Sequence, residues 1–488
     1  MTEPKHLLFI DGNFTTATGN RVFENINPAN EEIIGTVPDA GADQMEQAIL
    51  AARRAFDTTS WSQDHAFRRQ CLIQFQEGLR KSAESLRPMI VAEVGAPVLT
   101  TYSIQLNECV EFISHYIDLL ETFEWEREVP LFPGEQPPSQ RIVRREAAGV
   151  VGVITPWNVP LYLNICKVAA ALAAGCTVVL KPAPDTPYSA LVLGEIVANH
   201  TDIPAGVLNV VSTSDNEVAG LLTSHPAVDA ITLTGSTATG QKVMAAAAST
   251  VKRVTLELGG KAPAILLDDA DFGSLAQLFA MMIGFHAGQG CTTYTRLLVP
   301  ETRHTELVDI MTEAMKHIPW GDPTDPGNIM GPLINKRQHE SVLRYYDIAK
   351  QTGRVVLGGK AGDKYEKGYW VEPTLVTDVD PMSPVAQEEV FGPLLTILSY
   401  KDEDDAVRIA DSTIYGLAAG VFSPDHERAM RIARRLRSGT VDVNGGRSFH
   451  VSAPFGGYKQ SGLGREWGTE GLEEFLELKT IAYPHVVG

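Results

Sequence analysis

The stretch VVGVITPWNVPLYLNICKVAAALAAGCTVVLK, residues 150–181, carries the pattern that decides the fold. It begins with the apolar run VVGVIT, continues with a helical pattern from LYLNICK to the next glycine, and ends with the apolar run TVVLK. Apolar runs that alternate with helical segments predict parallel strands joined by crossover helices. Such sheets bind ligands in the crevice at the carboxyl ends of their strands, which is where Lys181 falls.

The alternation continues on both sides of this stretch. Further apolar runs end at about residues 211, 233 and 258, with helical patterns between them and a helix from Gly235 to about Ala248. A second alternating block follows, with helices predicted at 272–285, 304–316 and 336–351 and strands at 294–299, 394–399, 417–421 and 439–443. On the N-terminal side, the sequence predicts short extended pieces over 7–38 and long amphipathic helices over 43–57 and 62–120.

The composition excludes several classes of protein. A chain of 488 residues is too long for one compact core, so two or three domains are expected. A formal charge of −19 argues against nonspecific binding to nucleic acid or anionic lipid. The five cysteines show no CxxC pair and no metal-site spacing, which favours a reducing compartment. The N-terminus has no signal-peptide pattern, and the longest apolar run is too short to span a membrane, so we expect a cytoplasmic protein.

Residues 125–150 differ in character from their surroundings. A Pro-rich turn separates two extended arms there, which predicts a protruding hairpin, and the tail LEEFLELKTIAYPHVV changes from a helical to an extended pattern. A partly exposed arm of this kind needs a partner edge.

Cys291 lies in the stretch FHAGQGCTTYTR, residues 285–296. Gly288 and Gly290 allow a sharp turn and close approach of a ligand to the backbone, so the thiol is expected in a loop. A cysteine nucleophile needs a base or an electric field to react quickly. The alternative is a buried structural thiol, which is common for cysteine.

Two polar residues could assist such a thiol. Asn158 follows the first apolar run and could donate to a developing oxyanion, or it is a simple turn residue. Glu257, in LELGGK, lies between two leucines, where a raised pKa would suit it to act as a base. Its alternative is an exposed glutamate on the polar face of an edge strand.

Three further features could hold a ligand. The glycine-rich turn TGSTATG, residues 234–240, begins a helix and suits a phosphate group, although it matches neither common phosphate-loop pattern and could be a packing turn. Lys181 ends its strand and is either a ligand contact or a solvated side chain. Glu389 and Phe391 precede another strand and could meet a ribose and a flat ring, or could cap and pack.

Taken together, these motifs resemble the aldehyde dehydrogenase superfamily over nearly the whole chain. The matching stretches occur in the family's order and are NPANEEIIGTVPDA, ITPWNVPL, LTGSTATG, LELGGKAP, GQGC, MGPLINKRQ, EEVFGPLL and PFGGYKQSGLGRE. The resemblance implies an α/β fold with a Rossmann-like doubly wound cofactor domain, an α/β catalytic domain and a small β-flap for oligomerisation. The implied ranges are 1–124 and 147–258 for the cofactor domain, 259–460 for the catalytic domain, and 125–146 and 473–488 for the flap. A homodimer or homotetramer is implied, with Arg253, Arg465 and Glu477 in a charged cluster near the interface.

The resemblance also implies a reaction. The cysteine matching Cys291 attacks an aldehyde, and Asn158 with the cysteine backbone N–H holds the oxyanion of the thiohemiacetal. Hydride transfer to a nicotinamide leaves a thioester, which a water activated by Glu257 hydrolyses. Lys167 and Glu466 match a pair that relays protons from that glutamate, and their alternative is a structural ion pair.

NAD is the implied cofactor, with NADP as a possibility. In the family, the lysine matching Lys181 contacts the adenine ribose and the glutamate matching Glu389 the nicotinamide ribose. Many NAD-using members carry a glutamate three residues after the lysine, where this chain has Pro184, which removes one barrier to a 2′-phosphate. The full set of implied contacts is Ile154, Thr155, Pro156, Trp157, Lys181, Gly235, Ser236, Leu258, Glu389 and Phe391.

The substrate is less clearly encoded. Seven side chains could line the substrate tunnel by position, and they predict a medium-sized apolar or aromatic aldehyde, unless several of them are core residues: Trp157, Tyr162, Phe285, Tyr294, Phe449, His450 and Phe455. Two other enzyme classes stay open, a cofactor-free esterase or thioesterase using the same thiol and glutamate, and an acylating dehydrogenase that uses coenzyme A. A catalytically silent binding relative is the remaining alternative.

Overall fold

The computed structural model describes residues 5–485. The first four residues of the predicted cofactor domain and the last three of the predicted flap lie outside this range. In chain order, the strands are β1 (Leu8–Ile10), β2 (Asn13–Thr15), β3 (Val22–Ile26), β4 (Ile33–Pro38), β5 (Glu126–Val129), β6 (Ser139–Ala147), β7 (Val150–Ile154), β8 (Thr177–Lys181), β9 (Leu208–Val210), β10 (Ala230–Thr234), β11 (Arg253–Glu257), β12 (Pro263–Leu266), β13 (Arg296–Pro300), β14 (Arg354–Leu357), β15 (Thr374–Thr377), β16 (Leu394–Tyr400), β17 (Ala418–Phe422), β18 (Thr440–Val443), β19 (Gly462–Leu463) and β20 (Leu476–Pro484).

The helices alternate with the strands as the apolar pattern predicted. In chain order, they are α1 (Ala42–Thr58), α2 (His65–Val94), α3 (Asn107–Thr122), α4 (Pro160–Ala174), α5 (Tyr188–His200), α6 (Asn216–Ser224), α7 (Thr237–Ala247), α8 (Phe272–Gly284), α9 (His304–Lys316), α10 (Lys336–Thr352), α11 (Pro384–Gln387), α12 (Glu403–Ala410), α13 (His426–Ala433) and α14 (Gly468–Glu473). The helix predicted over 304–316 spans the same residues as α9. Within residues 5–485, none of the helices is both long and apolar enough to cross a membrane.

The first sheet has the order β19-β11-β10-β7-β8-β9-β1-β2. Its five middle strands, from β11 to β9, are parallel. At the edges, β19 pairs antiparallel with β11, β1 pairs antiparallel with β9, and β2 pairs antiparallel with β1. Helices α1, α6 and α7 form one layer over this sheet, and α2 to α5 form the other. The chain therefore has the doubly wound α/β arrangement that the apolar runs predicted.

The second sheet has the order β14-β15-β16-β13-β12-β17-β18 and is parallel except at β14. Each large sheet has its own hydrophobic core, and Leu258 and Ala262 mark where the chain passes from the first core to the second. The Cys291 side chain packs against the first core, although its loop leads directly into β13 of the second sheet. The cysteine thus lies where the two sheets meet. The exact domain boundaries stay a prediction.

The predicted hairpin is formed by β5 and β6, which pair antiparallel. The C-terminal strand β20 adds to the other edge of β6 over nine residue pairs, so the tail and the hairpin make one three-stranded sheet. All of β20 after Leu476 is exposed. Arg253 on β11 pairs with Glu477 on β20. Arg465, the third member of the predicted charged cluster, donates instead to the carbonyl oxygens of Gly457 and Gly464.

Candidate active site

The candidate site is assembled at the carboxyl ends of the parallel strands of the first sheet. β7 leads through Thr155 to Asn158, β10 leads to Gly235, and β11 ends at Glu257. Because parallel strands end at one edge of a sheet, the fold brings these positions together although they are far apart in sequence.

The Cys291 loop is held by a buried glutamine. The amide of Gln289 donates to the carbonyl oxygens of His286 and Pro332, and its oxygen accepts from the N–H of Ile334. His286 has a left-handed backbone with φ of 46°, which is uncommon for a residue other than glycine and is typical of strained functional loops. The loop is therefore fixed in place by its neighbours, which presents the thiol in one position.

Asn158 is buried and points at the same loop. Its side-chain nitrogen donates to the carbonyl oxygen of Gln289 at 3.0 Å, and its own carbonyl accepts from the side chain of Gln105 at 2.9 Å. An asparagine amide carries two N–H groups, so one is left to donate to another acceptor. The structure thus places an oriented amide donor against the backbone of Gln289, which is two residues before Cys291.

Glu257 is buried, with 3% of its surface exposed, so the alternative of an exposed edge glutamate is wrong. Its two carboxylate oxygens have no hydrogen-bond partner among the described residues. Burial raises the pKa of Glu257 well above its usual range, the Glu466 carboxylate raises this pKa further, and the Lys167 charge lowers it. A carboxyl group with a raised pKa holds its proton more tightly, so its ionised form is a stronger base than an ordinary carboxylate.

Lys167 and Glu466 form an ion pair in which the lysine side chain is fully buried, and their role in relaying protons stays a prediction. The Lys167 ammonium also donates to the hydroxyl of Thr232 at 3.0 Å. Both members of the pair act on Glu257, because the Glu466 carboxylate raises the pKa of the Glu257 carboxyl and the Lys167 ammonium lowers it.

The surroundings of Cys291 favour the protonated form of its thiol. Burial raises the pKa of the Cys291 thiol above its usual range, and the carboxylates of Glu389 and Glu257 raise it further. The thiol therefore needs a base before it can attack a substrate.

The turn predicted to bind a phosphate group leads into α7. Ser236 caps this helix, because its hydroxyl accepts from the N–H of Thr239 at 3.2 Å. A methyl group at Gly240 would lie 2.7 Å from the side chain of Leu258, so glycine is needed where the helix approaches the LELGGK stretch. The N–H of Gly235 donates to the carbonyl of Glu257 at 3.0 Å, which ties the turn to the strand that carries the buried carboxylate.

Five other residues of the predicted cofactor site have defined surroundings. Burial lowers the pKa of Lys181 to about 8, and the backbone N–H of Thr155 donates to the Lys181 carbonyl at 3.2 Å. Glu389 accepts from the N–H of Gly260 at 2.8 Å, and burial raises its pKa to about 7. The rings of Trp157 and Phe391 meet edge to face with centroids 5.3 Å apart.

Aromatic side chains form a wall beside Glu257. The ring of Phe455 stacks on Trp467 at 4.5 Å and also meets Phe449 at 5.1 Å. Trp467 continues the contact to Tyr162. Gly456, the next residue after Phe455, lies against the Glu257 carboxylate. Phe449 keeps 40% of its surface exposed, so the wall extends from the buried carboxylate to the solvent.

Tyr294 does not belong to this wall, which corrects its predicted place in the tunnel. It is only 4% exposed and packs in the second core against Phe279 and Phe422. Its hydroxyl donates to the Asp442 carboxylate at 2.7 Å. Sequence position alone suggested the tunnel, because Tyr294 lies three residues after Cys291, but the chain turns into β13 and carries the ring away. Phe285 is 37% exposed and stays a predicted tunnel residue.

Comparison with known proteins agrees with this geometry. A sequence model of the aldehyde dehydrogenase family matches residues 14–481. The chain belongs to the aldehyde dehydrogenase family. A putative aldehyde dehydrogenase of Staphylococcus saprophyticus is 38% identical and a geranial dehydrogenase of Castellaniella defragrans is 37% identical, and the alignments cover 97% and 99% of this chain and 98% and 99% of the relatives.

Solved structures of the family share the fold. A mutant of aldehyde dehydrogenase C from Pseudomonas syringae, complexed with NAD+ and octanal, superposes with a TM-score of 0.93 at 37% identity, covering 99% of this chain and 97% of that one. A betaine aldehyde dehydrogenase from Staphylococcus aureus, in complex with NAD+, gives 0.94 at 34% identity with the same coverage.

Three supporting residues of this aldehyde dehydrogenase were not predicted from the sequence. Gln105 orients Asn158, and Ser461 joins two parts of the site, because its hydroxyl donates to the Gly259 carbonyl and its carbonyl accepts from Leu258. Lys261 is buried beside the Gly260 contact, and burial lowers its pKa to about 7. The LELGGK motif contains Lys261, so the sequence could have indicated this residue. The residues around Gln105 and Ser461 show no motif that distinguishes these two side chains from ordinary polar residues.

Proposed function

We propose that this protein oxidises an aldehyde to the carboxylic acid with NAD as the electron acceptor. The observation that carries the proposal is the buried carboxylate of Glu257, which has no described hydrogen-bond partner and lies close enough to raise the pKa of the Cys291 thiol. The net reaction consumes an aldehyde, water and the oxidised cofactor, and it yields the carboxylate, the reduced cofactor and two protons.

Cys291 is the proposed nucleophile. Glu257 in its ionised form takes the thiol proton, and the sulfur forms a bond to the aldehyde carbon. The carbonyl π electrons move to the oxygen, so negative charge develops there and needs donors already in place. The free N–H of the Asn158 amide and the backbone N–H of Cys291 supply them.

The cofactor groove supports a dinucleotide. The capped start of α7 at Ser236 suits the pyrophosphate, Lys181 suits the adenine ribose, and Glu389 suits the nicotinamide ribose. When bound, the nicotinamide accepts the hydride that leaves the substrate carbon. The Trp157 and Phe391 rings close the adjoining side of the groove and limit the access of water.

The second half of the reaction is hydrolysis of the thioester on Cys291. Glu257 removes a proton from water, the oxygen attacks the acyl carbon, and the carbon–sulfur bond breaks. Burial of Glu257 favours this role, because a raised pKa strengthens the carboxylate as a base. Glu257 is free to act here because the proton that it took from the thiol has already passed to the Lys167–Glu466 pair, and the proton taken from water leaves in the same way. The departing thiolate takes the proton of the carboxylic acid product, so two protons leave the site in each cycle.

The aromatic wall favours an apolar aldehyde as substrate. Burial of each methylene against such rings contributes about 0.8 kcal/mol, or roughly fourfold in kcat/KM. Relatives whose names or crystal ligands include geranial and octanal are in line with this class. We expect kcat/KM to rise along straight-chain aldehydes up to octanal, and Phe449→Ala to flatten that rise.

The three-stranded sheet of β5, β6 and β20 supports a homo-oligomer. Its long outer strand β20 is exposed along almost its whole length, which is the kind of edge that proteins cover with a partner. Dimer and tetramer both fit this edge.

The test of the proposal is absorbance at 340 nm with octanal and either NAD or NADP, run in parallel on the wild type and on Cys291→Ala. Reduction of NAD by the wild type and none by the variant is the expected result. Ester cleavage without cofactor, together with no reduction of either cofactor, would favour the hydrolase alternative instead.

A further inference from the structure

A row of polar side chains leads from the Lys167–Glu466 pair towards the surface of the molecule. The Lys167 ammonium donates to the hydroxyl of Thr232 in β10. Thr255 in β11 donates from its hydroxyl to a carboxylate oxygen of Glu474 at 3.4 Å. Both threonines are buried, whereas Glu474 is partly exposed and lies just after α14.

The strand register brings the two halves of this row together. Thr232 is the direct partner of Thr255 in the parallel pair of β10 and β11. Residues in register on neighbouring strands lie about 4.8 Å apart and point to the same face of the sheet. Glu257 is two residues after Thr255, so it points to that face as well. The catalytic carboxylate and the row therefore share one side of β11.

A small cavity connects these groups. It has room for roughly one water molecule, and Lys167, Glu466, Thr232 and Thr255 all line it. The hydroxyl of Tyr116 also faces this cavity and has no hydrogen-bond partner among the described residues. A site that is polar on several sides suits a bridging water.

We propose that Thr232, Thr255 and Glu474 form the exit through which the proton taken up by Glu257 leaves the protein. The inference rests on the proposed function, because it concerns the proton released during thioester hydrolysis. Glu474 is the outer end of the row, since it is partly exposed to the solvent. Thr232 and Thr255 are positioning residues, since neither touches the substrate.

Protons balance along this path. The Lys167–Glu466 pair passes one proton to the cavity water, and that water passes one of its own to the lone pair of the Thr255 oxygen. Thr255 releases its original hydroxyl proton to Glu474, along the hydrogen bond that it already makes. Glu474 then gives one proton to bulk water, so each group returns to its starting state.

Charged groups flank the row at both ends. Arg465 lines the cavity, and its backbone N–H donates to the other carboxylate oxygen of Glu474 at 3.0 Å. Lys167 and Glu466 face the inner end. Arg253, two residues before Thr255 on the same face, is paired with Glu477 at the outer end.

The test uses the full-length enzyme with octanal and NAD. Thr255→Val removes the hydroxyl at nearly constant volume, Thr255→Ser restores it, and Glu474→Gln removes the proton acceptor. Thr177→Val is the matched control, because Thr177 is a buried threonine of the same sheet whose hydroxyl donates to the Ala52 carbonyl. Stopped-flow absorbance at 340 nm gives the burst of reduced cofactor, and quenched-flow mass spectrometry gives the decay of the acyl group on Cys291.

Thr255→Val is expected to keep the burst but to slow acyl decay about tenfold, with a larger solvent deuterium isotope effect on that decay. Glu474→Gln should shift the pH profile of decay, and Thr255→Ser and Thr177→Val should behave as the wild type. The proposed proton exit would be overturned if the rate of acyl decay and its isotope effect were unchanged in both Thr255→Val and Glu474→Gln. It would also be overturned if Thr177→Val slowed acyl decay as much as Thr255→Val does. A wild type that reduces no cofactor would overturn the proposed function itself, which is a separate result.

Discussion

Gly456→Ala tests whether the position of Glu257 controls thioester hydrolysis. A methyl group at residue 456 would lie 2.9 Å from a carboxylate oxygen of Glu257 and 2.8 Å from the backbone oxygen of Gly464. Ordinary van der Waals contact begins at 3.4 Å, so the methyl group is about 0.5 Å too close on both sides. The Arg465 Cδ atom would also lie 2.8 Å from the methyl group. Because the backbone oxygen yields less than a side chain, the Glu257 carboxylate and the Arg465 side chain must both move.

The size of that movement sets the expected effect. Catalytic groups must be held to within about 0.5 Å, and a displacement of about 1 Å can cost 100-fold in rate. We therefore expect Gly456→Ala to slow acyl hydrolysis roughly tenfold, while the burst of reduced cofactor changes less.

The assay is stopped-flow absorbance at 340 nm with octanal and NAD, combined with a thermal melt. Gly220→Ala is the matched control, because a methyl group there meets nothing within 4 Å. A Gly456→Ala variant that melts like the wild type and hydrolyses the acyl group at the wild-type rate would be the contrary result. The close fit between Gly456 and Glu257 would then have no role in thioester hydrolysis.

Three further predictions concern the rest of the site. Asn158→Ala should lower kcat by about 100- to 1000-fold through loss of an oxyanion donor, and a loss below threefold in steady-state assays would contradict this. Burial lowers the pKa of His286 to about 4, so its contribution to stability is lost as pH falls from about 6.5 to about 4. His286→Gln should therefore flatten the fall of Tm over that range. Pro184→Glu should raise the KM for NADP about tenfold relative to NAD, and an unchanged ratio would contradict it.

The fold could be predicted from the sequence because its signal is local. The apolar runs at β7 and β8 and the helical pattern between them need no knowledge of distant contacts. The pairing of strands that are distant in sequence was harder to predict. The contact of β20 with β6 joins residues more than three hundred positions apart. The residue pattern alone predicted two exposed extended segments, and it was the family resemblance that grouped them into one flap.

The residues of the candidate site also differ in how far the sequence alone identifies them. Cys291, Asn158 and Glu257 stand in distinctive motifs, so their chemistry could be inferred before their geometry was known. Tyr294 was misplaced because three residues of loop decide whether a ring faces the tunnel or the second core. Gln105 could not be found from sequence, because its role depends wholly on reaching Asn158 from a distant loop.

In the proposed reaction, Glu257 activates the water that hydrolyses an acyl group carried on Cys291. The test is intact-protein and peptide mass spectrometry of Glu257→Gln during a prolonged reaction with octanal and NAD. The acyl group should form more slowly in Glu257→Gln, because the thiol has lost its proposed base. We then expect one equivalent of reduced cofactor and an octanoyl group that stays on the Cys291 peptide, and neither in Glu257→Gln combined with Cys291→Ala. Steady turnover by Glu257→Gln at the wild-type rate, with no acyl group retained, would contradict it.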